Sequence, residues 1–307
     1  MRSIRLGTRG STLAMAQSHW VKQQLEREYP ELAVELIVIK TSGDRFLDSP
    51  IQAMGGKGVF VKEIEDALLR KDIDLAVHSM KDLPTDLANG LIIAAVPQRE
   101  DPRDVLVSRA GLSLQSLPVR AKVGTGSLRR KAQLLRYRSD LSLLPIRGNV
   151  DTRLRKLDSG ELDAIVLAAA GLKRIGRAER ITEFLEAEVC LNAVAQGALA
   201  IETRADHDMQ QTLAFMHHEP THVAVVAERA FLQRLGGGCH VPVGARATVN
   251  GQTLNLSGVV ADPQGTTLCR GQNTGSIAQA GELGRDLAQH LIDQGAGVIL
   301  AQLSQIS

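Results

Sequence analysis

The segment Gly124-Thr125-Gly126-Ser127-Leu128-Arg129-Arg130 carries the sharpest chemical signal in the chain. An apolar run ends there, small residues turn, and a helical pattern begins with two arginines in its first turn. Cations are unfavourable at the positive end of a helix dipole, so an anionic ligand at the same place is the simplest reason for them. Other segments have a related form. Gly7-Thr8-Arg9-Gly10-Ser11 sets Arg9 and a capping Ser11 between a strand and a helix, although a plain turn would look the same. Ile146-Arg147-Gly148-Asn149-Val150-Asp151-Thr152-Arg153 adds Arg147 and Arg153, and Lys173 with Arg174 follows a further strand and short helix. Backbone N–H groups at helix starts attract anions. Arginines recurring at several such turns imply one cation-lined cleft, suited to a polycarboxylate or polyphosphate.

His78-Ser79-Met80-Lys81-Asp82-Leu83-Pro84 follows the apolar run 73–77. Ligands of open α/β sheets sit beyond the carboxyl ends of the strands. Lys81 there can bind an anion, and Asp82 can accept N–H donors and steady developing positive charge. His78 has no second histidine at ligand spacing and reads as a packing or capping residue. Gly55-Gly56-Lys57-Gly58 lacks the Gly-Lys-Ser/Thr spacing of a P-loop and reads equally as a linker or as a lid. Gly236-Gly237-Gly238-Cys239-His240-Val241-Pro242 has more glycine than a helix C-cap requires. That backbone lets Cys239 approach a bulky group closely, which suits a covalent attachment point. Cys190 and Cys269 have no such setting and read as structural.

These segments need a scaffold of alternating elements. Strand-like runs at 3–7, 32–39, 73–77 and 91–96 alternate with helical patterns from Ser11 to Pro30 and at 59–69. The polar stretch 97–103 holds two prolines and reads as a crossover to a second unit. That unit repeats the grammar with a strand ending at 122–124, a helix at 128–137, a strand at 142–146, a helix at 150–157, a strand at 164–167 and a helix at 168–175. The alternation predicts parallel βαβ units and helix-covered sheets. The last third changes to a helix at 221–235 and then short β runs at 241–249, 254–260 and 266–271, split by Asn250-Gly251 and Asp262-Pro263. A final helix carries Leu283, Leu287 and Leu291. This is an α+β cap of about 90 residues, a reasonable size for a small domain.

Composition narrows the function classes. The 307 residues suit two or three domains. Lys+Arg 36 against Asp+Glu 34 leaves a net charge of +2, which excludes a global nucleic-acid footprint, and 3% aromatics argues against base stacking. Three cysteines without a CxxC form neither a disulfide framework nor a zinc site, so no metal is expected and a reducing cytosol is. No apolar run reaches the ~20 residues of a membrane span, and the start lacks a leader pattern, so neither a membrane nor export is expected.

Seven motifs in fixed order resemble the hydroxymethylbilane synthase (porphobilinogen deaminase) family across nearly the whole chain. They are Thr8-Arg9-Gly10-Ser11, Gly55-Gly56-Lys57-Gly58, the segment 78–84, Glu100-Asp101-Pro102-Arg103-Asp104, the segment 124–130, Arg147-Gly148-Asn149 and the segment 237–242. The resemblance implies three α/β domains. Two would resemble type II periplasmic-binding-protein lobes with a cleft between them, formed by 1–97 with 198–215 and by 103–191. A smaller α+β C-terminal domain, 220–307, would carry the cofactor. It also implies the chemistry. Cys239 would hold one dipyrromethane per chain through a thioether. Four porphobilinogen molecules would be condensed head to tail, each losing ammonia, before water releases the linear tetrapyrrole. Asp82 would be catalytic. Lys81, Thr125, Ser127, Arg129, Arg130 and Arg147 would bind the cofactor, and Arg9, Ser11, Arg153, Arg174 and Gln196 the substrate. Lys57 and Phe60 would lie on a loop over the cleft. The family resemblance further suggests a monomer.

Two departures stand out. Asn192-Ala193-Val194-Ala195-Gln196-Gly197 occurs where the family often shows Pro-Ala-x-Gly-Gln-Gly, and Gly126 occurs where serine is common. Two other readings compete: a non-catalytic binding protein of the two-lobed periplasmic type that uses the same basic cleft for an anionic ligand, and an acyl- or phosphoryl-transfer enzyme with Cys239 as nucleophile. The missing leader pattern and the glycine-cysteine loop count against the first. The lack of a base for Cys239 counts against the second.

Overall fold

The computed structural model describes residues 2–42, 61–206, 208–236 and 241–304. Lys57, Phe60 and Cys239 lie outside the described residues. The chain falls into two compact units, Met1–Glu100 with Ala198–His222, and Asp101–Gly197 with Val223–Ser307.

The first elements are β1 (Arg2–Thr8), α1 (Thr12–Glu28), β2 (Leu32–Val38), α2 (Lys62–Leu69), β3 (Leu75–Ser79) and β4 (Leu91–Ala95). Then come β5 (Asp104–Ser108), β6 (Lys122–Gly124), α3 (Leu128–Tyr137), β7 (Ser142–Leu144), α4 (Val150–Asp158), β8 (Ala164–Ala168), α5 (Ala169–Arg174) and β9 (Glu183–Leu185). The chain continues with β10 (Leu199–Arg204), α6 (Met209–Leu213), α7 (Glu219–Arg234), β11 (Val243–Asn250), β12 (Thr253–Ala261), β13 (Leu268–Ser276), α8 (Ala280–Leu291) and α9 (Gly297–Ser304). The architecture is mixed α/β.

The first unit holds a five-stranded sheet of order β2-β1-β3-β10-β4. The second holds one of order β7-β6-β8-β5-β9 and a separate three-stranded sheet, β11-β12-β13. Strand alternation builds the cores. In β5, Val105 and Val107 face the cluster containing Leu154 and Leu157 of α4, whereas Leu106 faces the cluster containing Leu134 of α3. The first sheet is covered likewise, with Val21 and Leu25 of α1 in one apolar cluster and Ile64 and Leu68 of α2 in another. Burial on both faces explains why these strands read as continuous apolar runs.

The parallel βαβ units expected from the alternation are present, and in each sheet the fourth strand runs the other way. β10 is antiparallel to β3 and β4, and β5 is antiparallel to β8 and β9. Hydrophobic periodicity marks which residues are buried and carries no record of strand direction. The C-terminal sheet is an antiparallel meander, with Asn250-Gly251 at its first hairpin and Gly251 at positive φ. Leu283, Leu287 and Leu291 of α8 are all buried. Close to them lie Gly271 and Gly275 of β13, where an added Cβ would fall within about 3 Å of those leucines.

Candidate active site

In the first unit, β1 and β3 are adjacent and parallel, so the turns after them lie at one sheet edge. Ser11 ends the first turn as the N-cap of α1, its Oγ accepting the Ala14 N–H at 3.3 Å. Thr8 is buried and donates its hydroxyl to the Ala14 carbonyl at 3.3 Å, and Arg9 beside it is half-buried. After β3 the chain makes one 3-10 turn, Met80–Asp82. Met80 is buried, Lys81 is half-buried and Asp82 is exposed. Two bonds fix the turn's entry: Gln17 Nε2 donates to Ser79 Oγ at 2.8 Å, and the Met80 N–H donates to the Ala198 carbonyl at 3.0 Å.

In the second unit, β7, β6 and β8 are neighbouring parallel strands, and their carboxyl ends gather Thr125, Ser127, Arg147, Arg153 and Arg174. Thr125 Oγ1 accepts the Ser127 N–H at 3.2 Å, and Ser127 caps α3 by accepting the Arg130 N–H at 3.4 Å. Asn149 caps α4 on Thr152 at 2.9 Å. Arg153 Nε donates to the Gly148 carbonyl at 2.8 Å, and Arg174 Nη2 to that of Gly197 at 2.7 Å. Arg147, Arg153 and Arg174 are half-buried.

Arg129 and Arg130 differ from these. Both are buried, and both close on Asp104, which has no exposed surface. Arg129 Nη1 donates to Asp104 Oδ2 at 2.7 Å and to the Leu191 carbonyl at 2.6 Å. Arg130 Nη2 and Nε donate to Asp104 Oδ1 at 2.7 and 3.0 Å, and its Nη1 donates to the Val166 carbonyl at 2.9 Å. Gln196, also buried, adds a bond to Asp104 Oδ1 at 2.9 Å and one to the Pro102 carbonyl at 2.7 Å. The arginines at the start of α3 thus have an internal counter-ion, so a cation there does not by itself require a ligand. Burial would push the Asp104 carboxyl up, but the two guanidiniums outweigh it and hold it well below the usual carboxylate range. The neighbouring Cys190 thiol, 3.4 Å from Asp104 Oδ2, is pushed up to about 12 by burial and by that carboxylate.

In the sequence Asp104 is the last residue of the motif Glu100-Asp101-Pro102-Arg103-Asp104, with no partner assigned to it. A charge about to be buried with a strand demands a cation partner, but the sequence does not name it. The 192–197 segment also gains an explanation. Ala195 sits at φ 57°, the left-handed region where glycine is normally favoured. Its N–H donates at 2.6 Å to Glu228 Oε2, a buried carboxylate whose other oxygen accepts the Ala247 N–H at 2.7 Å. Gly126 has the opposite character, since an added Cβ would lie 2.8 Å from the Ile146 carbonyl oxygen. Among the described residues, no group of three or more His, Cys, Asp or Glu is set to hold a metal ion.

Residues 4–212 match the family model described as porphobilinogen deaminase, dipyromethane cofactor binding domain, and residues 222–293 match porphobilinogen deaminase, C-terminal domain. The chain belongs to the porphobilinogen deaminase family. The porphobilinogen deaminase of Syntrophobacter fumaroxidans is 52% identical over 303 residues, covering 98% of each chain. That of Geobacter metallireducens is 50% identical over 305 residues, covering 99% of this chain and 96% of the relative. Among solved structures, the methionine binding protein MetQ aligns with a TM-score of 0.45 at 15% identity, over 70% of this chain and 89% of that one. No helix among the described residues is long and apolar enough to cross a membrane.

Proposed function

We propose that the chain is a transferase, a hydroxymethylbilane synthase that condenses four porphobilinogen molecules head to tail and releases the linear tetrapyrrole with water. The observation that carries this is identity of about half the residues with porphobilinogen deaminases over 98–99% of the chain. The donor set of the second unit fits a dipyrromethane, whose ring carboxylates would need cations and hydroxyls. Arg147, Arg153 and Arg174 supply the cations from one sheet edge, and Thr125 and Ser127 supply the hydroxyls. Arg129 and Arg130 act on the same ligand by charge, since two guanidiniums against the single Asp104 carboxylate leave one excess positive charge beneath that edge. Gln196 holds Asp104 in place. When bound through Cys239, a dipyrromethane supplies the pyrrole carbon from which chain growth starts.

In this reading Asp82 accepts pyrrole N–H groups and stabilises the positive charge that develops as porphobilinogen loses ammonia. Its exposure on the 3-10 turn supports that role by leaving it reachable. A preorganised group of this kind is worth about 10²–10³ in rate. Lys81 contributes to cofactor binding, and Arg9 and Ser11 bind substrate carboxylates from the neighbouring turn. The working division is domain 1 from 1–97 and 198–215, domain 2 from 103–191 and a cofactor-bearing domain from 220–307. The chain works as a cytosolic monomer, and the buried free thiols Cys190 and Cys269 fit a reducing compartment.

Intact-mass measurement of the purified protein tests the proposal. The chain should be heavier than its sequence by one dipyrromethane, with the excess on Cys239, and should consume porphobilinogen. An unmodified chain with full turnover would refute the attachment. A modified chain without turnover would refute the reaction.

A further inference from the structure

The C-terminal sheet is fastened to the part of the chain that carries the arginines, and both fall in one compact unit. Three ties hold it. On β11, the Ala245 N–H donates to the Asn192 carbonyl at 3.1 Å, and Asn192 Nδ2 donates to the Ala245 carbonyl at 2.9 Å. On β13, Arg270 Nη2 donates to the Ala187 carbonyl at 2.8 Å and to Gln133 Oε1 at 3.4 Å. Gln133 is buried on α3, and the same oxygen accepts the Leu191 N–H at 2.8 Å. The third tie is the turn between β12 and β13, and β12 packs against α3.

That turn is built before it meets a partner. Asp262 accepts the Gln264 N–H at 2.8 Å, the Thr266 hydroxyl at 2.7 Å and the Thr267 N–H. Its own N–H donates to the Thr267 carbonyl at 3.0 Å. A short acid that bonds the backbone just after it fixes the shape of a turn. At the tip stands Gly265, with φ 72°. A Cβ there would collide with the Ala132 carbonyl oxygen and come within 3.0 Å of the Arg136 nitrogen. The tip thus rests on the backbone of α3, an approach that only glycine permits.

One helix therefore meets both halves of the proposed cofactor site. Ser127 caps α3, and Arg129 and Arg130 stand in its first turn, while its middle receives the tip. β11 starts at Val243, soon after Cys239 in the chain. We propose that the Gly265 tip registers the C-terminal sheet on α3, so that the arm bearing the cofactor and the cations that bind it move as one body. Gly265 is then a positioning residue for the reaction. The first rings stay against their cations while the chain lengthens. This rests on the reading that Cys239 carries the cofactor.

Gly265→Ala and Gly251→Ala test it together. Gly251, at the first hairpin of the same sheet, has φ 60° and nothing within 4 Å of an added Cβ. Both variants strain a positive φ, but only Gly265→Ala collides with α3. In the cofactor-loaded enzyme, Gly265→Ala should lower kcat about tenfold with KM for porphobilinogen within about twofold, because the arm shifts while every substrate-binding group remains. Its adduct should stay at full mass. Hydrogen exchange of the α3 amides 132–137 should quicken about tenfold. Gly251→Ala should keep parental kcat and parental α3 exchange.

Parental α3 exchange in folded Gly265→Ala would overturn the docking. Faster exchange with parental kcat would overturn the positioning role, and so would an equal loss of kcat in Gly251→Ala. If Gly265→Ala does not fold, Arg270→Met removes the second tie and should lower kcat about threefold, with Arg270→Lys restoring it. Parental kcat in Arg270→Met would then overturn the proposal. A loaded parent that leaves porphobilinogen untouched would sink the functional reading, while the exchange comparison would still decide the docking.

Discussion

The two five-stranded sheets share one plan, and each places a single fully buried acid on its antiparallel fourth strand: Asp104 on β5 and Glu202 on β10. Asp104 receives two guanidiniums, an amide and a thiol, so both of its oxygens are satisfied. Glu202 receives one imidazole on one oxygen and has an unbonded second oxygen. A saturated carboxylate is locked in its charged form and serves the packing of α3 on the sheet. A half-satisfied one leaves a buried acceptor that the packing around it has not filled. The same position in the same sheet plan therefore meets different hydrogen-bond surroundings, decided by the neighbours that tertiary packing brings to it.

Asp104→Asn should break this comparison most forcefully. It leaves two buried guanidiniums without their anion, and denaturant unfolding should report a loss of about 3–5 kcal/mol. Because the Asp104 carboxyl is held low, its contribution should persist down to strongly acid pH and be lost only as pH falls through the folded value. Glu202→Gln should cost clearly less in the same assay, and an equal loss would erase the distinction between the two acids.

Asp82→Asn sharpens the contrast between buried and exposed charge. Its rate with porphobilinogen should fall about 10²–10³-fold. Its unfolding free energy should stay within about 0.5 kcal/mol of the parent, since the side chain is exposed. A large stability change would make Asp82 structural.

The smaller effects concern the two departures from the family pattern. Gly126→Ser, which restores the common residue, should cost about 1–3 kcal/mol because the new Cβ meets the Ile146 carbonyl, and calorimetry would detect it. Ala195→Gly should instead stabilise by about 1 kcal/mol by relieving the positive φ. Equal signs for these two variants would show that local backbone geometry does not govern either site.

Much of the scaffold was legible because burial imposes periodicity. α3 spans the helical run 128–137 read from the sequence, and Ser11 and Ser127 are the caps their positions suggest. The strands 104–108, 183–185 and 199–204 gave no clear reading. They are short or follow polar turns, and the direction of β5 and β10 is written in partners distant along the chain. The basic turns were legible as charges but not as destinations: Arg153 reaches Gly148, whereas Arg129 and Arg130 turn inward to an acid some 25 residues earlier.

Residue order alone determined the family, the mixed α/β plan and the candidate groups, because motif chemistry and side-chain period are local properties of the chain. Only the tertiary structure decided which charges are neutralised internally. A buried ion is stable only beside its counter-ion, and Asp104 meets Arg129 and Arg130 only after β5 and α3 have packed.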